Sequence, residues 1–260
     1  MTQPRVNYDQ IAPTYAKRFV HDRTEGIGEA ILELARRLNA GRILEVGCGT
    51  CHWLAQMHRV DSKLYGLDLS TSMLNQAREQ RTRMGLVNGY ARQLPFESDT
   101  LDLVFCVNAI HHFHDSRGFV SEAARVLRRG GALAVVGSDP HGLRDSWFVY
   151  HYFDGAYETD LMRFPGWKTV REWMVEDGFE GVERRKVERI LDPKYGRSVL
   201  DDPFLKKNSC SQLALLTDEV YQAGLERIEA DLVEAEARGE TLVFATDILT
   251  AMLAGCKARE

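Results

Sequence analysis

The sequence predicts a doubly wound α/β fold, in which helices cover both faces of a mostly parallel sheet. Two observations lead to this prediction. Short apolar runs alternate with segments of helical periodicity through the first half of the 260-residue chain. The runs are apolar throughout instead of alternating with polar residues, which is typical of parallel strands that are buried on both faces. Ligands of such sheets bind beyond the carboxyl ends of the strands, so functional residues are expected in the loops that follow them.

The positions of the apolar runs predict the strands. The first strand is RILEV at residues 42–46, and the fourth is LDLVFCV at residues 101–107. The complete set covers residues 42–46, 64–67, 86–87, 101–107, 132–136, 181–190 and 241–248. We expect the last two to be antiparallel edge strands that complete the same sheet.

Periodicity and cap residues predict the helices between these strands. The helix over residues 27–38 meets a C-terminal stop signal at residues 39–41. Ser70 or Thr71 can cap the next long helix, which we expect to reach Arg81. The helix over residues 116–127 is expected to end at the glycine pair 130–131. Further helices are predicted at residues 52–58, 169–177 and 218–238.

A glycine loop follows the first strand. Gly47 and Gly49 stand at alternate positions, where the absence of side chains lets the backbone turn sharply and approach a ligand closely. Glu45 precedes them, and its carboxylate would repel a pyrophosphate but can accept hydrogen bonds from a cationic amino group. The dinucleotide pattern GxGxxG is not met, because His52 stands where the third glycine belongs. These features disfavour NAD.

Polar residues also close the second and fourth strands. Asp68 ends the second strand, where a carboxylate can accept hydrogen bonds from two ribose hydroxyls. Asn108 closes the fourth strand, after the segment NGYARQLPF and Asp102. Solvated strand ends are the alternative interpretation of Glu45 and Asp68. Each motif alone is weak, but their order and spacing together indicate a nucleoside-type ligand.

The segments ILEVGCGTC, LYGLDLSTSML, ARQLPF, LDLVFCVNAIHHF and EAARVLRRGGALAVVG resemble the successive motifs of class I S-adenosylmethionine-dependent methyltransferases. The resemblance covers about residues 43–137, and the most similar branch is the bacterial small-molecule enzymes related to ubiquinone and menaquinone methyltransferases. It implies a Rossmann-like sheet of seven strands and S-adenosyl-L-methionine as cofactor. It implies that the cofactor-binding residues are Glu45, Gly47, Cys48, Gly49, Asp68, Leu69, Met73, Ala91, Arg92 and Asn108.

The resemblance also implies a domain organisation. We expect a single methyltransferase domain over residues 1–260, with N-terminal helices over residues 1–40 and the cofactor-binding core over residues 41–140. An aromatic-rich segment on the substrate side covers residues 141–180, and a helical insertion between the last two strands covers residues 191–240. The N-terminal YDxIAxxY pattern at residues 8–15 resembles the helical lid of the family. Two positions depart from the family pattern, since Cys51 replaces a glycine and Tyr90 replaces an acid that contacts adenine.

Methyl transfer from a sulfonium is an in-line displacement, so positioning in a dry site can supply much of the catalysis. A base is needed only where the nucleophile carries a proton, and imidazole titrates near neutral pH. His111, His112 and His114 cluster after the fourth strand. Resemblance to phosphoethanolamine methyltransferases implies His112 as the base, with Tyr15 or Tyr8 as its companion and His111 as the second candidate. Packing against the next helix is the alternative role for these histidines, and a divalent metal site that includes Asp115 is another.

Aromatic residues are concentrated in the segment that follows the fifth strand. Residues 147–173 hold nine of the 24 aromatic residues of the chain. They can enclose a planar or apolar acceptor, or a cation, although part of the set is expected to form core. Glu158 and Asp160 are candidates to bind a polar or cationic substrate group. The apolar stripe Leu225, Ile228, Leu232 and Ala235 predicts packing onto the domain or onto a partner in a homodimer.

Composition limits the remaining possibilities. The formal net charge of −5 and the absence of a long basic run argue against a nucleic-acid partner, although methylation of tRNA is kept as an alternative. Five scattered cysteines indicate a reducing, cytoplasmic setting, and no apolar run approaches a membrane span. The pair Cys48 and Cys51 also permits redox or metal chemistry, but we expect no metal. The sequence thus predicts an enzyme that methylates an O, N or C nucleophile of a small molecule, with a non-catalytic cofactor-binding module as a further alternative.

Overall fold

The computed structural model describes residues 25–79, 84–142 and 146–259, together with residues 6, 8, 9 and 11. The chain packs as two compact units. The sheet unit comprises Thr24–Asp139, Pro165–Glu188 and Thr250–Glu260, and the helical unit comprises Met1–Arg23, Pro140–Phe164 and Arg189–Leu249. The single-domain organisation of the chain stays a prediction.

The strands alternate with helices through the first half of the chain. In chain order they are β1 (Arg42–Val46), β2 (Lys63–Asp68), β3 (Met84–Asn88), β4 (Leu101–Val107), β5 (Leu127–Gly137), β6 (Ser146–Trp147), β7 (Phe179–Leu191), β8 (Lys194–Tyr195), β9 (Val243–Phe244) and β10 (Thr246–Lys257). The helices are α1 (Glu25–Leu38), α2 (His52–Gln56), α3 (Thr71–Glu79), α4 (Ser116–Val126), α5 (Phe148–Tyr152), α6 (Ala156–Arg163), α7 (Trp167–Glu176), α8 (Ser211–Ala214) and α9 (Asp218–Ala237). Short 3₁₀ turns cover Met57–Arg59, Ile110–His112, Pro140–Gly142, Gly196–Asp201 and Pro203–Leu205.

In the sheet unit the strands have the order β3-β2-β1-β4-β5-β10, and β7 also pairs with β10. In the helical unit the two-residue β6 pairs with the start of β10, at Thr246 and Asp247. Strands β1 to β5 are parallel to their neighbours, whereas β10 is antiparallel to β5. The predicted α/β class with a mostly parallel seven-stranded sheet is therefore confirmed. The strand order reverses at β1, which lies between β2 and β4, so this is the switch point at which ligands of such folds bind.

Burial explains why these apolar runs form strands. In β1 all residues except Arg42 are buried, and in β4 all except Asp102 are buried. Such strands place apolar side chains on both faces of the sheet, which requires helices on both sides. Helix α1 contributes one buried face through Ile27, Ile31 and Leu34.

The predicted end of the fourth helix was wrong. Helix α4 ends at Val126 and strand β5 begins at Leu127, so the glycine pair 130–131 lies inside the strand. The pairing of β5 with β4 shifts register between Leu101 and Leu103. A Cβ on Gly131 would lie 3.1 Å from the carbonyl oxygen of Leu101, so glycine permits this close approach.

The position predicted for the last strand was also wrong. Val243–Phe244 pairs with Lys194–Tyr195 in a separate two-stranded ribbon. The last strand of the main sheet is Thr246–Lys257, whose residues 251–256 pair with residues 132–137 of β5. Two apolar runs therefore follow each other, and pairing with β5 decides which of them belongs to the sheet.

The helical unit has its own apolar core. It contains α5, α6, α8 and α9, and the whole of the predicted insertion over residues 191–240 belongs to it. The stripe on α9 packs into this core through Ile228 and Leu232, which are buried beside Phe153 and Phe244. The stripe is thus covered within its own unit. No helix in the described part of the chain is both long and apolar enough to cross a membrane.

Candidate cofactor and active site

The glycine loop after β1 has a backbone that side chains would obstruct. Gly47 and Gly49 have φ angles of 71° and 52°. The N–H of Gly47 donates to the carbonyl oxygen of Leu67 at 2.7 Å. A Cβ on Gly47 would lie 2.7 Å from the Cβ of Ala109 and 3.1 Å from the ring of Phe113. The loop after β1 therefore contacts the segment after β4, and only glycine fits between them.

Asp68 joins the loop after β1 to the end of β2. Its Oδ2 accepts a hydrogen bond from the N–H of Gly49 at 2.7 Å, and its Oδ1 accepts one from the N–H of Ser70 at 2.8 Å. Because each carboxylate oxygen has two lone pairs, the same group can also accept hydrogen bonds from hydroxyl groups of a ligand. The hydroxyl of Ser70 accepts from the N–H of Met73 at 3.1 Å, which confirms the predicted cap of α3.

Glu45 lies beneath the loop. Its side chain is buried, and its Oε2 accepts a hydrogen bond from the N–H of Leu54 at 2.9 Å, in the first turn of α2. Burial raises the pKa of Glu45 well above its ordinary range, and the nearby Cys51 and Asp68 raise it further. A cationic ligand group beside this carboxylate would favour the charged form instead.

Two large apolar side chains are exposed at the ends of β2 and β3. Leu69 is 48% exposed and Tyr90 is 45% exposed, whereas Met73 is buried. The side-chain amide of Asn88 donates to the carbonyl oxygens of Asp68 and Leu69, at 3.1 and 2.8 Å. These bonds hold the two strand ends together, so that apolar side chains and the Asp68 carboxylate occupy one edge of the sheet.

Aromatic and cationic groups surround Tyr90. The Tyr90 ring lies 5.8 Å from the ring of His114, and the guanidinium carbon of Arg92 lies 5.6 Å from the Tyr90 ring centre. Ala91 is buried between these exposed neighbours. Tyr90 stands where the resemblance expects an acid, so the side of the site that would face an adenine carries an aromatic ring and a cation.

Asn108 and the histidines follow β4. Asn108 has a φ of 48°, and its N–H donates to the carbonyl oxygen of Val136 at 2.8 Å. His111 is buried and His112 is half-buried, and their ring centres are 3.9 Å apart. The N–H of His112 donates to the carbonyl oxygen of Ala109 at 2.8 Å. The 3₁₀ turn thus holds the two imidazoles side by side.

The thiols of Cys48 and Cys51 are buried and lie next to each other under the loop. A Cβ on Gly66 would lie 2.9 Å from the Sγ of Cys48 and 3.1 Å from that of Cys51. The contact with Cys51, together with burial, raises the pKa of Cys48 well above its ordinary range. Within residues 25–79, 84–142 and 146–259 no three His, Cys, Asp or Glu side chains are grouped as a metal site would require.

The structure brings several of the residues predicted for the site close together. Gly47, Gly49 and Asp68 are linked by direct contacts, and Asn108 lies in the segment beside them. The predicted companion Tyr15 lies outside the described residues, and so does most of the expected lid. Sequence reasoning did not single out Ala109 or Phe113, which pack against Gly47. Their position directly after the fourth strand was the available signal.

The residues at this edge fit a nucleoside cofactor with a cationic amino acid part. The carboxylate of Asp68 suits ribose hydroxyls, the exposed Leu69 and Tyr90 suit an adenine ring, and Gly47 leaves space that a Cβ would fill. A cationic ligand group beside Glu45 would favour its charged form, and in that form Glu45 would repel a pyrophosphate. The fold and the residues at this edge are those expected of an α/β domain with a nucleoside-type ligand.

Comparison with known proteins supports this assignment. Residues 44–135 match the family described as "Methyltransferase domain". The chain is 30% identical over 162 residues to the 2-methyl-6-phytyl-1,4-hydroquinone methyltransferase 2 of Oryza sativa, covering 61% of this chain and 43% of that enzyme. It is 27% identical over 202 residues to the demethylmenaquinone methyltransferase of Listeria monocytogenes, covering 68% of this chain and 83% of that one. The fold is similar to the crystal structure of YcgJ from Bacillus subtilis, with a TM-score of 0.56, 18% identity, and coverage of 87% of this chain and 98% of that chain.

Residues 44–135 are therefore a methyltransferase domain, and S-adenosylmethionine is its cofactor. The predicted family, fold and cofactor are confirmed. The matched segment spans less than half of the rice enzyme.

Proposed function

We propose that the protein transfers a methyl group from S-adenosylmethionine to an oxygen, nitrogen or carbon nucleophile of a small molecule. One observation carries this proposal. The loop after β1 is held on one side by Asp68 and packs on the other side against Ala109, so three strand ends converge at the switch point of the sheet. Bound S-adenosylmethionine supplies a methyl group that its positive sulfur has already made electrophilic.

In this proposal the residues of the chain bind the cofactor and hold its methyl group in position. Asp68 would hold the ribose hydroxyls, Leu69 with Tyr90 would flank the adenine, and Glu45 with Asn108 would lie near the methionine part. Because the N–H of Gly49 and the N–H of Ser70 already orient the Asp68 carboxylate, little reorganisation is needed when a ligand binds. Positioning of this kind can account for much of the rate of a displacement reaction.

His112 is the proposed general base. Of the two adjacent imidazoles His112 is the more accessible, since His111 is buried. Where the nucleophile carries a proton, the His112 ring would accept it as the new bond to the methyl carbon forms. His111 would then be a positioning residue that packs against the base at 3.9 Å. The role expected for Tyr15 stays a prediction.

The first experiment is calorimetric titration with S-adenosylhomocysteine of the wild type and of Asp68→Ala, with Asp61→Ala as the matched control. Asp61 is an exposed acid in the loop before β2. Binding by the wild type and the control, with loss in Asp68→Ala, is the expected result. If Asp68→Ala binds as tightly as the wild type, the proposed site is wrong.

The second experiment measures turnover over a panel of small-molecule acceptors with His112→Ala. His58→Ala is the control, because His58 is an exposed histidine elsewhere in the sheet unit. We expect His112→Ala to lower kcat and to remove the acid limb of the pH profile. An unchanged pH profile would exclude His112 as the base. Tight cofactor binding without turnover on any acceptor would favour a non-catalytic module instead.

The cytoplasmic location and the homodimer were also predicted from the sequence. The five cysteines are all free thiols, which agrees with a reducing compartment such as the cytoplasm. A homodimer stays a prediction, and the stripe on α9 does not support it, because Ile228, Leu232 and Ala235 are buried in the core of the helical unit.

A further inference from the structure

A cavity in the helical unit lies between α9 and the 3₁₀ turn Pro203–Leu205. Its volume is about 400 Å³, within the roughly 300–1,000 Å³ that is typical of small-molecule sites. Its apolar wall is formed by Leu200, Leu205, Tyr221 and Leu225. Leu205 is buried, whereas Leu200 is 39% exposed, so the cavity reaches from the core of the unit to solvent. All of its lining residues lie within Arg189–Leu249, so none of the predicted cofactor residues contributes to it.

Tyr221 holds the two sides of this cavity together. Its hydroxyl donates to the carbonyl oxygen of Leu205 at 3.0 Å, which joins α9 to the 3₁₀ turn. Its ring stacks on the buried Phe153, with ring centres 5.8 Å apart and an angle of 19° between the ring planes. Because the hydroxyl and the ring are both fixed, the cavity is formed before a ligand binds, and little ordering is needed on binding.

The charged residues that line the cavity have an excess of negative charge. Three of them are acids, Asp202, Glu226 and Glu229, and one is a cation, Lys206. The carboxylate of Glu229 pairs with Arg197 at 2.8 Å, in an exposed ion pair. Lys206 is also exposed, so its flexible side chain can extend its ammonium group into solvent. The charge of the lining therefore favours a cationic ligand over an anionic one.

Asp202 gives the cavity a fixed acceptor. The residue is only 6% exposed, and its Oδ1 caps the 3₁₀ turn by accepting from the N–H of Phe204 at 2.9 Å. Its Oδ2 accepts no hydrogen bond from the part of the chain that the structure describes. Burial raises the pKa of Asp202 even though the charge of Lys194 lowers it. A buried carboxylate is costly unless it is paired, so a cation in the cavity would stabilise its charged form.

We propose that this cavity binds a small primary ammonium ion that carries a compact apolar group. The ammonium group donates to Oδ2 of Asp202, and the carboxylate of Glu226 adds attraction from the rim. The apolar group packs against Tyr221 and Leu225. This site goes beyond the proposed methyl transfer and does not depend on it, because every residue that forms it belongs to the helical unit.

The test is calorimetric titration of the full chain with benzylamine, benzyl alcohol and benzoate, which share a ring and differ in charge. Benzylamine is expected to bind the wild type most tightly and benzoate least tightly. Asp202→Asn keeps an oxygen that can accept from the N–H of Phe204 but removes the charge, so it should weaken benzylamine binding by roughly tenfold. Asp201→Asn is the matched control and should leave binding unchanged, because Asp201 is an exposed acid that does not line the cavity.

Three results would overturn the proposal: no benzylamine binding to the wild type, benzoate binding at least as tightly as benzylamine, or equal benzylamine binding by the wild type and Asp202→Asn. Urea denaturation checks that Asp202→Asn is folded. If that variant shows no cooperative unfolding transition, Glu226→Lys decides the question, because Glu226 is exposed and its replacement does not disturb the core. Its affinity for benzylamine should fall by roughly fivefold or more, whereas Glu234→Lys, at an exposed position of α9 outside the cavity, should keep the affinity of the wild type. Equal affinities of these two variants would exclude the site.

Discussion

Replacement of Gly47 by alanine tests the geometry of the cofactor loop directly. The new Cβ would lie 2.7 Å from the Cβ of Ala109, and the residue would keep a φ of 71°. A non-glycine residue in the left-handed region costs roughly 1–2 kcal/mol. Forcing a methyl group into a packed contact costs about 1–3 kcal/mol more.

Gly178→Ala separates the two costs. Gly178 has a φ of 84° in the same unit, but a Cβ there meets no atom within 4 Å. Both variants share the backbone strain and the same reduction in unfolded-chain entropy. The free energy of unfolding of Gly47→Ala, measured by urea denaturation, should therefore lie about 1–3 kcal/mol below that of Gly178→Ala. Titration with S-adenosylhomocysteine should show binding lost in Gly47→Ala and kept in Gly178→Ala. A stability difference below about 0.5 kcal/mol, with binding intact, would refute the close packing of the loop.

Three further predictions follow from the site. Asp68→Asn places an amide N–H where a backbone N–H now donates, so calorimetry should show affinity for S-adenosylhomocysteine falling by roughly tenfold or more, whereas Asp61→Asn should not change it. Burial raises the pKa of Glu45 above its ordinary value of 4.5, so the folded state favours the protonated acid and the wild type loses stability as the pH rises above that value. Glu45→Gln is neutral throughout, and its free energy of unfolding relative to the wild type should rise from about pH 5 to about pH 8 in urea titrations; a flat difference would contradict this. Alkylation by iodoacetamide, followed by mass spectrometry, should label the partly exposed Cys256 well before the buried Cys48, and denaturant should abolish the difference.

Local patterns were sufficient for much of the fold and of the cofactor site. The strand RILEV lies at the predicted residues, because an apolar run followed by a glycine turn has few other conformations available. Asp68 was predicted from its position at a strand end, and the structure places its carboxylate on the N–H of Gly49. Parallel strands bring their carboxyl ends to one edge, so polar residues after separate strands meet there without any further information.

Other features depended on contacts between distant parts of the chain. Gly131 looked like a helix stop, yet it lies in β5, because β5 already pairs with β4 from Leu127 onwards. The last strand lies further along the chain than predicted, because pairing with β5 selects residues 251–256. The hydrophobicity of a single run does not make that selection. Which strand a segment pairs with depends on residues that are distant in the sequence, so local patterns do not predict it.

The sequence by itself determined the α/β class and the loops in which ligand-binding residues are expected, because these follow from short-range periodicity, glycine positions and strand-end chemistry. The methyltransferase family was predicted from the resemblance of its motifs to those of known enzymes. Only the tertiary structure decided that Asp160 is neutralised by Arg163 and by Gln212, a residue 52 positions away, and that Nε of Arg163 is left without a partner. Burial is the reason why local sequence does not predict these polar contacts. The charge and hydrogen-bonding state of a polar side chain are set by the groups that replace water around it, and those groups come from distant segments.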